Sequence, residues 1–179
     1  MRKNKKMETL LKKIKRIKMI AMDVDGVLTP GDITFVNGKE IKFWYAKDRI
    51  AFFILRRQKR IKTCWISGRK SSEVAERAKD LGIDAVYLGI KDKRQAWKEM
   101  LDKFGLEKEE AAYIGDDLVD LALITAAGFA AAPQDACPEI KEAADYVTSV
   151  PGGRGVFRET AELILKGQNL WNEVLTFYK

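Results

Sequence analysis

Residues 18–30 read KMIAMDVDGVLTP, a short apolar run that ends in two aspartates one residue apart and then a glycine. An apolar run of this length closed by a turn signal suits a buried strand, so Asp23 and Asp25 stand where its carboxyl end meets a loop. In an open α/β sheet that edge is where ligands bind. Two carboxylates this close repel each other. Asp-Gly is an ordinary turn dipeptide and aspartate caps helices, so a turn accounts for Asp25 and Gly26 as readily as a site does. The other reading is a bound divalent cation such as Mg²⁺, a hard ion that takes carboxylate oxygens and cancels the repulsion.

Downstream of this run, residues 32–46 read DITFVNGKEIKFWYA, two β-prone runs around Asn37-Gly38. Both central residues tolerate the positive φ of a type I′ turn, which predicts a projecting β-hairpin. Further strands are predicted over 62–66, 85–88, 111–114, 129–132 and 146–147. Helices are predicted over 48–58, 71–81, 95–104, from after Asp117 to about Ala127, over 138–143 and over 156–166. Gly82 and Gly105 stop two of them in the manner of C′ glycines. Strands alternating with helices place the chain in the α/β class, as a doubly wound, mostly parallel sheet. No GxGxxG follows a strand and no Walker lysine loop is present, so nucleotide-binding readings lose their fingerprints.

A chain of 179 residues fits one domain. The formal charge is +7, but residues 1–18 hold nine basic residues and one acid, Glu8, which leaves about −1 for the rest. Leu10, Leu11, Ile14 and Ile17 fall at helical spacing among those lysines. An amphipathic leader (1–18) packing on a domain (19–168) is expected, and nucleic acid is not the expected partner. The tail (169–179) carries Leu170, Trp171, Val174, Leu175 and Phe177, enough for one apolar face. There is no secretory h-region and no apolar run long enough to span a bilayer, so no membrane partner is expected. Cys64 and Cys137 form no CxxC pair, which points to a reduced, cytoplasmic setting. With no histidine in the sequence, Ser-His-Asp and Cys-His catalysis and the usual zinc sites are excluded.

Four strand ends carry polar groups: Asp23 with Asp25, Ser67 with Gly68, Lys91 or Lys93, and Asp116 with Asp117. A parallel sheet brings all of these to one edge. Carboxylates around Mg²⁺, with a hydroxyl and an ammonium nearby, suit a phosphate dianion. Phosphoryl transfer needs an in-line nucleophile, charge neutralisation and a proton donor for the leaving oxygen. On this reading Asp23 would be the nucleophile, Asp25 the acid and then the base, Asp116 would complete the metal site, and Ser67 and Lys93 would hold the phosphate.

The segments DVDGVLT (23–29), ISGR (66–69), the lysine after YLG (87–89) and GDDLVD (115–120) resemble the four motifs of the haloacid dehalogenase superfamily, in order and at strand ends. The resemblance implies a HAD-like Rossmannoid fold and a Mg²⁺-dependent phosphatase working through an aspartyl-phosphate. It implies metal ligation by Asp23, Asp116 and Asp25, the last through its backbone carbonyl, with Asp117 and Asp120 in support. It favours Lys93 over Lys91, four residues after Gly89. The gaps between motifs leave no room for a cap domain, so the expected branch is capless, and a neighbouring subunit would cover the open site.

More of the chain, about 19–165, resembles the 3-deoxy-D-manno-octulosonate 8-phosphate phosphatases of lipopolysaccharide synthesis, through ISGRKS with Arg77 and LGI, ADYVT, and GGRG-V-FRE. That likeness implies a small sugar phosphate as substrate and a homotetramer built through the hairpins. It implies that Arg69 binds the sugar acid, whose carboxylate suits a bidentate guanidinium, and that Arg154 sits in a mobile segment closing a neighbour's site. One departure is Asp48-Arg49, where that family carries Asp-Gly. The alternatives are a phosphatase of a nonulosonate 9-phosphate or another small phosphomonoester, one acting on nucleic-acid ends, and an inactive phosphatase-like interaction domain.

Overall fold

The computed structural model describes residues 2–179, with side chains from Met7 onward; Met1 and the side chains of residues 2–6, part of the expected leader, lie outside the described residues. In chain order, α1 (Arg2–Lys15) leads into β1 (Met19–Met22), then the hairpin strands β2 (Thr34–Val36) and β3 (Lys39–Ile41) and α2 (Ala46–Gln58). Next come β4 (Lys62–Ser67), α3 (Ser72–Leu81), β5 (Ala85–Leu88), α4 (Lys93–Phe104) and β6 (Ala111–Ile114). The chain ends with α5 (Leu121–Ala126), β7 (Phe129–Ala132), α6 (Pro138–Ala143), β8 (Tyr146–Val147), α7 (Val156–Gly167) and α8 (Trp171–Thr176).

Six strands form one sheet in the order β5-β4-β1-β6-β7-β8, and every pairing in it is parallel. Its core strands thus run in the doubly wound order, with the direction of winding reversing between β1 and β6, where such sheets open a crevice. β1 is central and buried at all four positions, which is why its sequence is continuously apolar. Its side chains alternate between two cores. Ile20 and Met22 pack with α1, α2, α3 and α7, while Met19 and Ala21 pack with α4, α5 and α6. The α/β class and the parallel sheet match the expectation.

Register fixes the edge that matters. Met22 pairs with Trp65 and Ile114, and Ser67 with Leu88, so Asp23, Ser67 and Gly115 all emerge at the carboxyl ends of adjacent strands. Between β1 and β4 lie only the hairpin and α2; no cap domain is inserted. Asn37 and Gly38 have φ of 50° and 74°, as the two-residue turn requires. The two hairpin strands pair only with each other, leaving Ile33, Phe35 and Phe43 exposed.

The leader belongs to the packed body: Ile14 and Ile17 are buried in the core, and the Gln168 side-chain amide donates to the carbonyls of Ile14 and Ile17 at 3.0 and 2.7 Å. In the tail, Leu170 and Val174 are buried, whereas Leu175 and Phe177 are exposed. The Phe177 ring lies under the Arg57 guanidinium at 3.8 Å, so the expected single apolar face is only partly used. Among the described residues, no helix is long and apolar enough to cross a membrane.

Three helix starts differ from the sequence expectation, the first being α2, which begins at Ala46 instead of 48. α4 begins at Lys93 instead of 95, because the Asp92 carboxylate caps it by accepting the Arg94 N–H at 3.0 Å. The predicted helix after Asp117 opens as a 3-10 turn, Leu118–Asp120, because the Asp120 carboxylate turns inward to the backbone N–H groups of Asp116 and Asp117.

Candidate active site

At the end of β1, the Asp23 N–H donates to the Ile114 carbonyl, which holds the two strands together as they open into loops. The Asp23 carboxylate accepts the Val24 N–H at 2.7 Å on Oδ1, and Lys93 Nζ lies 2.9 Å from Oδ2. Lys93, on the first residue of α4, is itself buried and also donates to Asp120 Oδ1 at 2.7 Å. Burial alone would lower the Lys93 pKa, but the charges of Asp23 and Asp120 outweigh it and the net shift is upward. Lys91 is exposed.

Asp116, at the end of β6, completes an acidic group: carboxylate oxygens of Asp23, Asp116 and Asp120 lie within 4.8 Å of one another. Burial, opposed by Lys93 and reinforced by Asp120, pushes the Asp23 carboxyl up to about 6. Burial together with Asp23 and Asp120 pushes Asp116 up to about 7. Three acids share one ammonium, so the cluster lacks positive charge.

Asp120 has no spare capacity. Its Oδ1 accepts Lys93 and the Tyr113 hydroxyl (2.6 Å), and its Oδ2 accepts the Asp116 N–H (3.1 Å) and, more weakly, the Asp117 N–H (3.5 Å). Asp120 therefore orients the Asp116 loop and Lys93, while Asp23 and Asp116 retain free lone pairs for a cation. Hard oxygen donors with surplus negative charge fit Mg²⁺. Gly26 makes the approach of these loops possible: its φ is 86°, and a Cβ there would run into the Asp116 carboxylate.

Asp25 is placed differently from Asp23. Its Oδ1 accepts Lys42 Nζ at 2.5 Å and the Thr29 hydroxyl at 3.3 Å, while Oδ2 is buried without a partner. Lys42 holds the Asp25 carboxylate, which leaves the backbone carbonyl, the atom the resemblance implies, as the candidate metal ligand of Asp25. Ser67 is buried at the end of β4, with Oγ accepting the Arg69 N–H at 3.1 Å, and Gly68 follows it in the turn. Asp117 is exposed and caps the 3-10 turn by accepting the Leu118 N–H at 2.7 Å.

Of the candidate substrate residues, Arg69 donates to Glu40 Oε2 at 2.9 Å and is half-exposed. Arg154 is exposed, but its neighbours Gly152 and Gly153 are buried, and the Gly153 N–H donates to the Val27 carbonyl at 3.0 Å. Thus 151–155 docks on the 26–30 loop of its own chain. Arg154, Trp44 and Tyr45 line a cleft of about 300 Å³. Arg49 is exposed and stacks on Phe53, its guanidinium 4.6 Å from the ring centre.

Lys42, Glu40 and Tyr113 escaped the sequence reading. Glu40 and Lys42 are two residues apart, in the middle of β3 and just past its end, hence on one face, and that alternation was the available signal. Tyr113 is a buried phenol in an apolar strand, and a buried hydroxyl needs a partner.

Residues 89–159 match the haloacid dehalogenase-like hydrolase family. The chain is 39% identical over 157 residues to the 3-deoxy-D-manno-octulosonate 8-phosphate phosphatase KdsC of Haemophilus influenzae, covering 87% of each chain. It is 36% identical over 165 residues to KdsC of Escherichia coli, covering 92% of this chain and 87% of that one. It superposes with a TM-score of 0.93, at 38% identity over 97% of this chain and 99% of the other, on a 3-deoxy-D-manno-octulosonate 8-phosphate phosphatase from Moraxella catarrhalis solved in complex with magnesium ion, phosphate ion and KDO.

Proposed function

Because the chain belongs to the 3-deoxy-D-manno-octulosonate 8-phosphate phosphatase family of haloacid dehalogenase-like hydrolases, we propose that it hydrolyses that sugar-acid phosphate to KDO and phosphate. It is a phosphoric monoester hydrolase with Mg²⁺ as its cofactor. The observation that carries the residue assignments is the placement of Asp23 between Lys93 and Asp116 in a cluster short of positive charge.

In this reading a carboxylate oxygen of Asp23 forms a bond to phosphorus while the bond to the sugar oxygen breaks, and Asp25 gives that oxygen its proton. Asp25 then takes a proton from water, whose oxygen bonds to phosphorus as the aspartyl oxygen leaves, releasing phosphate and restoring Asp23. Ser67, the Gly68 turn and Lys93 hold the phosphate oxygens. Asp23, Asp116 and the Asp25 carbonyl hold Mg²⁺, which neutralises charge on the transferred group when bound. Asp120 and Asp117 keep the Asp116 loop in place, Arg69 meets the sugar-acid carboxylate, and Arg154 flanks the entrance.

The leader (1–18) and tail (169–179) are read as extensions of a single catalytic domain (19–168). The exposed apolar hairpin is assigned to a homotetramer, and the setting to the cytoplasm. The test is a phosphatase screen with Mg²⁺ comparing octulosonate 8-phosphate, nonulosonate 9-phosphates and hexose phosphates. Preference for the first, abolished in Asp23→Asn, is the expected result; no preference over hexose phosphates overturns the substrate assignment.

A further inference from the structure

We propose that Lys42 is a positioning residue for the leaving-group step, fixing the Asp25 carboxylate so that one oxygen, Oδ2, is presented for proton transfer. This rests on the reading of Asp25 as the proton carrier. The Lys42 side chain is only 1% exposed, and a buried ammonium is tolerated only when well paired. Its partners are Asp25 Oδ1 at 2.5 Å and Glu40 Oε1 at 2.9 Å. The Thr29 hydroxyl donates to the same Asp25 oxygen at 3.3 Å, so both donors gather on Oδ1.

Oδ2 is consequently buried with no partner. A buried polar atom without a hydrogen bond is costly and rare, and at a reacting centre it marks the atom kept free for substrate. The other oxygen of Glu40 continues the chain, accepting Arg69 at 2.9 Å. Alternating charges therefore run Arg69, Glu40, Lys42, Asp25 from the mouth of the site to its interior. The hairpin strands pair with nothing else, so this chain is what ties the end of β3 to the reacting groups. Lys42 touches neither the acidic cluster nor any group assigned to the phosphate; it acts through Asp25.

A proton donor matters most when the leaving group is a poor one. An alkyl phosphate, such as a sugar phosphate, needs its leaving oxygen protonated, whereas the leaving group of 2,4-dinitrophenyl phosphate departs as the stable 2,4-dinitrophenolate anion. Because kcat/KM reports the steps up to loss of the first product, it isolates this stage. In the full chain with Mg²⁺, Lys42→Met is expected to lower kcat/KM for the sugar phosphate about 100-fold, the scale of a misplaced catalytic group, and for the aryl phosphate far less. Asp25→Asn should show the same substrate dependence, and adding Lys42→Met to it should cost little more, since the second residue works only through the first.

Equal losses on both substrates in Lys42→Met, or additive losses in the double variant, would overturn the proposal in favour of a structural strut. If Asp25→Asn is selective for the alkyl substrate and Lys42→Met is not, the proposal falls and the Asp25 assignment stands. If Asp25→Asn itself shows no selectivity, both fall. Should Lys42→Met not fold, Lys42→Arg, which keeps the charge at a different reach, carries the same comparison.

Discussion

The carboxylate of Asp48, near the start of α2, accepts a hydrogen bond from the backbone N–H of Arg158, in the first turn of α7, at 2.7 Å. The N-cap residue of α7 is Gly155, which has no side chain to offer, so a residue more than 100 positions earlier supplies the cap. The same contact anchors the end of the glycine-rich 151–155 loop to the helix that follows the hairpin. Asp48 is buried and its Oδ2 has no partner. Burial pushes its carboxyl up to about 7, against the opposing effect of the Arg158 and Gly155 N–H groups and the Arg158 charge.

A carboxyl whose folded pKa is raised holds its proton in the folded state after the unfolded chain has lost it. Its contribution is therefore greatest at low pH and is lost as pH rises from about 4 through about 7. Asp48→Asn keeps an oxygen for the Arg158 N–H and removes the titration, so the variant gains on the wild type across that window, by up to about 4 kcal/mol. Asp48→Ala removes the cap as well and costs about 1–2 kcal/mol relative to Asp48→Asn. Urea midpoints of the three proteins from pH 4 to 8 check this; parallel curves for wild type and Asp48→Asn would refute it.

Metal binding should show a matching pH dependence. Asp23 and Asp116 are raised to about 6 and about 7, so the metal-free protein loses stability as pH climbs from about 4 through about 7, and Mg²⁺ has to displace protons below that. The rise in Tm on adding Mg²⁺ is expected to be small at pH 5, to grow to pH 7 and then to level off. At 100 times Kd it corresponds to about 2.7 kcal/mol. Asp116→Asn should abolish most of the rise, and chelation should abolish activity. An equal Tm shift at pH 5 and pH 8 would count against Asp23 and Asp116 as the ligands.

The fold was legible because β1 and its neighbours are short apolar runs separated by glycine-stopped helices, and period and punctuation suffice to predict them. The carboxylates at 23 and 116 were legible because the fold puts the end of every parallel strand on one edge. Lys42 was not. Its partner Asp25 is seventeen positions away across a hairpin, and the only local signal, its two-residue spacing from Glu40, does not say which partner it meets. The same holds for Asp48, whose partner lies at the other end of the chain; Asp120 was legible only as a supporting acid of the GDDLVD segment, and its bonds to Lys93 and Tyr113 were not.

Lys93 and Lys91 offer a direct comparison between neighbours of the same type. Lys93→Ala leaves Asp23, Asp116 and Asp120 without their shared ammonium and removes a donor to the transferred group. A loss of about 100- to 1000-fold in kcat is expected, as for removal of a preorganised electrostatic donor. The exposed Lys91 should change kcat by less than about threefold when replaced by alanine, the range of an ordinary surface charge. Steady-state rates on one sugar phosphate decide it, and loss confined to Lys91→Ala would reverse the assignment.

The hairpin supplies the remaining prediction. Ile33, Phe35 and Phe43 are 61%, 62% and 60% exposed, in or flanking two strands that pair with nothing beyond each other. Large apolar side chains grouped on a projecting ribbon mark an association surface, and a capless site gains cover when a second subunit sits over it. Closed symmetry lets one ribbon serve every contact, since each copy presents the same surface. The wild-type protein is therefore expected to run as a homotetramer by light scattering, and Phe35→Glu to dissociate it by burying an unpaired charge at the contact. If the neighbour also closes the site, dissociation should reduce kcat/KM for the sugar-acid phosphate more than for a small aryl phosphate, which needs little cover. A Phe35→Glu protein of unchanged mass would move the interface off the hairpin, while a dissociated protein with unchanged kcat/KM on both substrates would show that the site is complete within one chain.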